Sequence, residues 1–94
     1  PIAALGGKGV ISVLSNVLPE ETKLLTDAAL DGDFDTAGAI QCQLQELIGA
    51  LFSEVNPIPV KEAMKLIGYD CGGCRLPLTA MSPENHAKLV HLLA

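Results

Sequence analysis

The chain has 94 residues, of which 49% are apolar and only 18% are charged, and its formal net charge is −5. Typical soluble domains carry about 25% charged residues, so this composition argues against disorder and predicts apolar surface covered by something else. The acidic balance, with two Phe, one Tyr and no Trp, argues against a nucleic-acid interface. No apolar run approaches the roughly 18 residues of a membrane span.

The first residues predict the end of a helix followed by a strand. Residues 2–5 are apolar and precede Gly6 and Gly7, which is typical of a last helical turn and its glycine cap. Residues 9–14 (GVISVL) are apolar on both faces and rich in β-branched side chains, the pattern of a buried parallel strand. A lone buried strand leaves costly unpaired backbone groups. We therefore expect this strand to pair with a larger body or another chain.

Proline residues mark the starts of three of the four helices predicted after the strand. Pro19, Pro59 and Pro83 each suit a first helical turn, where the missing N–H costs nothing. Ser82 is the expected N-cap of the last helix. The helix from Pro59 is closed by Gly68, and residues 69–81 are predicted to form a loop.

The longest predicted helix runs from about Phe34 to Phe52. Its apolar residues recur at three- and four-residue steps, which indicates an amphipathic helix. Residues 31–33 (DGD) end the preceding helix, and Asp33 is a candidate N-cap for the long one.

The amino terminus has neither a basic region nor a long apolar region, so we expect no signal peptide. The lack of an initiator Met suggests processing or a partial chain. The three cysteines, Cys42, Cys71 and Cys74, predict free thiols in a reducing cytoplasm, because an odd count and this composition do not fit a disulfide scaffold.

A zinc-finger-like spacing in the last quarter of the chain does not predict a zinc site. Cys71, Cys74, His86 and His91 approach a Cys2His2 pattern, but the linker is one residue short and contains two prolines. A redox dithiol would need a strand before the cysteines and a helix after them, and neither is predicted. We interpret the cysteines as part of a Gly-rich turn and predict no metal site.

The glycines at residues 6–9 (GGKG) do not predict a phosphate-binding loop. Such a loop follows a strand and opens a helix, whereas this one follows a helix and opens a strand. The acidic residues near the helix ends are better explained by capping and solvation. Side-chain chemistry alone assigns no catalytic residue to this chain.

Three stretches resemble the carboxyl-terminal third of the dihydrodipicolinate synthase family, within the pyruvate-dependent class I aldolase or N-acetylneuraminate lyase superfamily. They are residues 5–13 (LGGKGVISV), 56–61 (NPIPVK) and 75–78 (RLPL). The resemblance implies an α/β fold, a (β/α)8 barrel followed by an all-α domain. Residues 1–31 would supply a helix end, the eighth strand and the eighth helix of the barrel, and residues 32–94 the helical domain. The orphan strand would then lie between the first and seventh strands.

The resemblance also implies a chemistry that this chain does not complete. Members of the family condense pyruvate with aspartate semialdehyde through a Schiff base on Lys, in lysine biosynthesis by the diaminopimelate route, without a cofactor. The reactive side chains would lie upstream of Pro1, so the isolated chain is expected to be inactive. The matched site position is Ile11, whose main-chain carbonyl would lie beside the pyruvate adduct. Ile11→Val should therefore be tolerated. The family also implies a cytoplasmic homo-oligomer, commonly a tetramer.

Two alternatives remain open from the sequence. The capped helices and the amphipathic stretch also fit a free-standing helical interaction module. A sister pyruvate lyase acting on a sugar acid would share much of the same pattern.

Overall fold

The structure is a computed structural model that describes all 94 residues. It contains five α-helices and no β-strand. In chain order they are α1 (Leu14–Val17), α2 (Pro19–Leu30), α3 (Phe34–Leu51), α4 (Ile58–Leu66) and α5 (Pro83–Leu93). No helix combines the length and the apolar character that crossing a bilayer requires.

The predicted strand at residues 9–14 is not formed in this chain, and that expectation is wrong as a description of its local structure. Residues 7–12 have no regular secondary structure, and Leu14 is already helical. A strand exists only through ladder hydrogen bonds to a second strand, and these 94 residues supply none. Val10 and Ile11 consequently have relative exposures of 64% and 108%.

Two serines begin α1 and turn the chain out of the extended segment. The Ser15 N–H donates to Ser12 Oγ at 3.0 Å, and the Ser15 hydroxyl donates to the Ser12 carbonyl at 3.0 Å. Ser12 is therefore the side chain that satisfies the first turn of α1. These two hydrogen bonds between Ser12 and Ser15 end the extended segment. Leu14, which is buried, is therefore the first residue of α1.

The four longer helices are confirmed, and only the start of α4, at Ile58 and not at Pro59, lies one residue earlier than predicted. The end of α2 is closed by the Asp33 N–H donating to the Ala28 carbonyl at 2.9 Å and by the Gly32 N–H donating to the Ala29 carbonyl at 3.2 Å. This closure requires a left-handed residue, and Gly32 provides it with φ of +79°. Asp33 Oδ1 then accepts the Thr36 N–H at 3.1 Å and caps α3, as predicted.

The chain divides into two compact units, Pro1–Gln45 and Glu46–Ala94, with the division inside α3. The sequence-based boundary after residue 31 stays a prediction. In the first unit α1 packs against α2. Its buried residues are Leu14, Val17, Thr22 and Ala37. The Thr22 hydroxyl donates to the Leu18 carbonyl at 2.7 Å, so its burial leaves no polar atom unsatisfied.

The second unit has a more complete apolar core. Here α4 packs against α5. Leu51, Ala63 and Leu89 are 0% exposed, and they come from α3, α4 and α5 respectively. Three helices therefore contribute fully buried side chains to one unit of 49 residues.

Candidate functional site

Ile11, the one site position implied by the sequence, lies in the middle of the exposed segment between residue 7 and α1. Its carbonyl accepts no backbone hydrogen bond within the chain, and the Ser12 N–H donates none. A carbonyl in this state has its full capacity to accept a hydrogen bond from a group outside the chain.

Both ends of this segment are held by hydrogen bonds. Upstream, the Gly7 N–H donates to the Ile2 carbonyl at 2.9 Å and the Gly6 N–H donates to the Ala3 carbonyl at 3.1 Å. Gly6 has φ of +104°, and the pattern matches the end of a helix. Residues 2–6 form a hydrogen-bonded turn and no helix, so the predicted helix end stays a prediction. Downstream, Ser12 Oγ accepts the Ser15 N–H, so only the middle of the segment lacks partners.

The contact between Gly7 and Ile2 leaves no room for a side chain at residue 7. A Cβ there would lie 2.8 Å from Ile2 Cγ2 and 2.9 Å from the Ile2 carbonyl oxygen. The glycine is thus explained by a close approach within the turn. A phosphate-binding role, which the sequence order already argued against, is not needed to account for it.

The residues around Ile11 expose an unusual amount of apolar surface. Ile2, Leu5, Val10 and Ile11 have relative exposures of 76%, 89%, 64% and 108%. All four lie within the first eleven residues. Single exposed apolar side chains are ordinary, but a run of this kind is typical of a surface that contacts other protein.

A carboxylate cluster in the second unit was not predicted from the sequence. Glu54 Oε2 accepts hydrogen bonds from Asn85 Nδ2 at 2.9 Å and from the Ser82 N–H and hydroxyl at 3.1 Å each. These donors, the Asn85 amide first and the Ser82 N–H second, hold the pKa of Glu54 below its ordinary value. Ser82 was predicted as a cap, but nothing in the sequence paired it with a residue 28 positions away.

The Glu54 cluster is structural rather than catalytic in character. Three donors already engage its Oε2 and lower its pKa, so this carboxylate is poorly suited to act as a general base or acid at neutral pH. The cluster instead joins the segment after α3 to the start of α5, where the Asn85 N–H also donates to Ser82 Oγ at 3.3 Å.

The structure does not bring the cysteines and histidines into a metal-binding group. His86 Nδ1 lies 3.1 Å from Glu62 Oε1. No group of three or more His, Cys, Asp or Glu side chains is placed to hold a metal ion. Cys71 is exposed and Cys74 is partly buried, and both are free thiols.

A shallow groove of about 410 Å³ lies in the second unit along α3 and α5. Its polar lining comes from five residues. They are Glu46, Ser53, Asn85, Lys88 and His91. The Asn85 amide is already committed to Glu54, and no nucleophile is hydrogen-bonded to a base in this groove. It therefore lacks the arrangement that covalent catalysis requires.

Comparison with known proteins supplies information that the side chains alone do not. The model of a family described as the dihydrodipicolinate synthetase family matches residues 1–94. The chain is 54% identical over 85 residues to a 4-hydroxy-tetrahydrodipicolinate synthase of Acetivibrio thermocellus, covering 90% of this chain and 29% of that protein. It is 47% identical over 93 residues to the protein of that name from Methanosarcina mazei, covering 99% of this chain and 32% of the relative.

The fold is also shared with solved structures. The dihydrodipicolinate synthase crystal structure from Aquifex aeolicus superposes with a TM-score of 0.95 at 54% identity, covering 99% of this chain and 32% of that one. The chain thus spans about a third or less of the length of the relatives that it matches.

Proposed function

The chain belongs to the dihydrodipicolinate synthetase family, and from this premise we propose that it is the carboxyl-terminal part of a 4-hydroxy-tetrahydrodipicolinate synthase. The observation that carries the proposal is the match of the family model to all 94 residues. The partial coverage of the relatives supports a contribution to a longer catalytic unit rather than a complete enzyme.

The reaction proposed for the whole enzyme is a class I aldolase condensation of pyruvate with aspartate semialdehyde, in lysine biosynthesis. A Lys amine condenses with the pyruvate carbonyl and releases water. Loss of a methyl proton then gives an enamine that attacks the aldehyde. None of the five Lys residues in this chain occupies the Schiff-base position. The isolated chain is therefore proposed to be inactive.

Ile11 is proposed to act through its main chain, with its carbonyl beside the pyruvate adduct. Support comes from the free carbonyl and from the anchoring of the segment at Gly7 and Ser12. A fixed acceptor can orient an amine or an adduct at little entropic cost. The surrounding apolar side chains would contact the neighbouring barrel strands.

The remaining features are proposed on family membership. Residues 1–31 would complete the (β/α)8 barrel, with residues 9–14 forming the eighth strand once the first and seventh strands flank them. Residues 32–94 would form the helical domain. The whole enzyme is proposed to be cytoplasmic and to assemble as a homotetramer.

A chimera tests the proposed activity directly. Residues 1–94 would replace the matching part of the Aquifex aeolicus relative, to which they are 54% identical. We expect the folded chimera to condense pyruvate with aspartate semialdehyde. A folded chimera that binds pyruvate as a Schiff base but forms no condensation product would contradict the proposal. The unmodified relative is the control for the assay.

Borohydride trapping tests whether the Lys that forms the Schiff base lies outside residues 1–94. Pyruvate followed by borohydride should leave the mass of the isolated chain unchanged, whereas the chimera should gain a pyruvyl adduct upstream of residue 1. A stable adduct on any Lys of the isolated chain would place the chemistry here and refute the assignment.

The role of the Ile11 carbonyl requires a backbone change. Replacing residue 12 of the chimera by the α-hydroxy analogue of serine turns the Ile11 carbonyl into an ester, which is a weaker acceptor. The change also removes the Ser12 N–H, which makes no hydrogen bond in the isolated chain but would face a neighbouring strand in the chimera. We expect kcat/KM for pyruvate to fall about fivefold, the worth of one net hydrogen bond. Ile11→Val, which keeps the amide carbonyl, is the matched control and should have a smaller effect. Equal losses would indicate a side-chain role.

A further inference from the structure

We propose that residues 8–12, the free segment, pair the 94-residue chain with a second copy of itself in an antiparallel, two-fold symmetric dimer. The proposal concerns the chain without flanking barrel strands, and it does not depend on the proposed aldolase reaction. In the whole enzyme proposed above, the first and seventh strands would occupy the same edges of this segment.

The backbone of the free segment has the hydrogen-bonding groups that a partner strand requires. The N–H and carbonyl groups of residues 8–11 make no backbone hydrogen bond in the chain, and neither does the Ser12 N–H. No residue of the segment has a positive φ, which is compatible with a β-strand. A row of unpaired N–H and carbonyl groups is a template for a strand of another chain.

The side chains of the free segment favour pairing with another protein strand. Val10 and Ile11 are β-branched and have relative exposures of 64% and 108%. Lys8 is the one charged residue of the segment, and no proline interrupts it. Uncharged, β-branched segments without proline are those that associate between chains. The loop between α4 and α5 is different, because it carries charged Asp70 and Arg75.

The surface area of the chain is larger than a monomer of its size requires. The accessible surface is 6417 Å², whereas a folded monomer of 9.8 kDa has about 5,200 Å². The difference of about 1,200 Å² exceeds the roughly 800 Å² that each partner contributes to a stable interface. Ile2 and Leu5, which precede the free segment and have exposures of 76% and 89%, add apolar surface beside it.

The free segment is complementary to its own copy when the two run antiparallel. A two-fold axis perpendicular to the segment sets the same residues against each other in reverse order, so that the donors of each copy meet the acceptors of the other. The two Lys8 ammonium groups then lie at opposite ends of the paired strands. A parallel pair would set these like charges side by side, which is destabilising.

Sedimentation velocity tests whether the chain forms this dimer. Measurements from about 1 µM to about 1 mM, under reducing conditions that keep the three cysteines from cross-linking, should show a monomer converting to a dimer. Salt at about 0.15 M screens the repulsion between two copies of net charge −5. A monomer at every concentration, or open assemblies larger than a dimer, would overturn the proposal. Neither outcome would change the activity expected of the chimera.

A matched pair of lysine variants tests where the interface lies. Ile11→Lys should raise the dissociation constant of the dimer about tenfold or more, since it removes an apolar contact from each copy and introduces like charges between the strands. Leu76→Lys changes a residue of the second unit with 86% exposure and should change the constant less than about twofold. Both residues are exposed, so circular dichroism should show that both monomers stay folded. Equal weakening by the two variants would overturn the assignment of the interface.

Amide hydrogen exchange tests whether the contact is a paired strand. In the dilute monomer the amides of residues 9–12 should be unprotected. In the dimer each strand is paired along one edge only, so alternate amides of these residues should become protected as the concentration rises. A dimer in which none of them is protected would place the contact elsewhere and overturn the proposal.

Discussion

The two units of this chain differ in how far along the sequence their side-chain hydrogen bonds reach. In Pro1–Gln45 those bonds join residues three or four positions apart, as at Ser12, Thr22 and Asp33. In Glu46–Ala94, Glu54 reaches residues 28 and 31 positions away and Lys61 reaches 12. The second unit therefore contains its own tertiary contacts, while the first has well-formed helix ends but few groups that tie distant segments together.

The fully buried apolar side chains follow the same division, although each unit exposes seven large apolar side chains. The first eleven residues carry four highly exposed apolar side chains, with Ile11 at 108%. The second unit buries Leu51, Ala63 and Leu89 completely. Since apolar burial supplies most of the driving force for folding, the second unit can account for most of the stability of the isolated chain. Completion of the first unit by additional strands stays a prediction.

The largest expected effect in this comparison comes from the buried leucine of α5. Leu89→Ala should lower the free energy of unfolding by about 3 kcal/mol, because it creates a cavity at a fully buried position. Val90→Ala, at a neighbouring residue that is 42% exposed, should cost less than about 1 kcal/mol. Urea denaturation followed by circular dichroism measures both. Similar losses in the two variants would mean that the core of the second unit is not where the structure places it.

The two N-caps give a smaller, paired effect. Ser82→Ala should cost about 1–2 kcal/mol, because the hydroxyl caps α5 and also donates to Glu54. Asp33→Ala removes a cap of purely local reach and should cost about 1 kcal/mol or less. The same denaturation experiment compares them. A larger loss of unfolding free energy in Asp33→Ala than in Ser82→Ala would contradict the claim that the long-range contact contributes more than the local cap.

The acid sensitivity of the second unit should depend on Glu54. Its folded-state pKa is lowered by the Asn85 amide and the Ser82 N–H, so its stabilisation is present above the unfolded pKa of about 4.3 and is lost as pH falls through the folded value. Glu54→Gln should therefore flatten the fall of the melting temperature below about pH 4.3. The exposed Glu20→Gln, which lacks these donors, should retain the wild-type slope. An unchanged slope in Glu54→Gln would remove Glu54 as a source of acid sensitivity.

Helix boundaries could be predicted because their signals are local. Pro19 and Pro83 stand at the first positions of α2 and α5, and Gly32 closes α2 with the left-handed conformation that glycine permits. The cap at Ser82 could also be predicted locally, from Ser82 and the Pro83 that follows it. Each of these features depends on chemistry within about one helical turn.

The strand and the Glu54 cluster could not be settled in the same way, because both depend on distant partners. Residues 9–14 have the composition of a buried strand, yet a strand forms only when ladder partners are present. Glu54 finds its donors across 28 residues, and no local pattern encodes that pairing. The position of Ile11 came from the family resemblance, and the structure adds that its carbonyl is free and its segment is held at both ends.

Amide hydrogen exchange at residues 9–13 tests most directly whether the first unit is an incomplete part of a barrel. In the isolated chain these amides should exchange close to the unprotected rate, because none of them donates a backbone hydrogen bond. In the chimera with the Aquifex aeolicus relative, these amides should become strongly protected, because successive residues of a strand flanked on both sides pair with alternate neighbours. Equally fast exchange in the isolated chain and in a folded, active chimera would contradict the account.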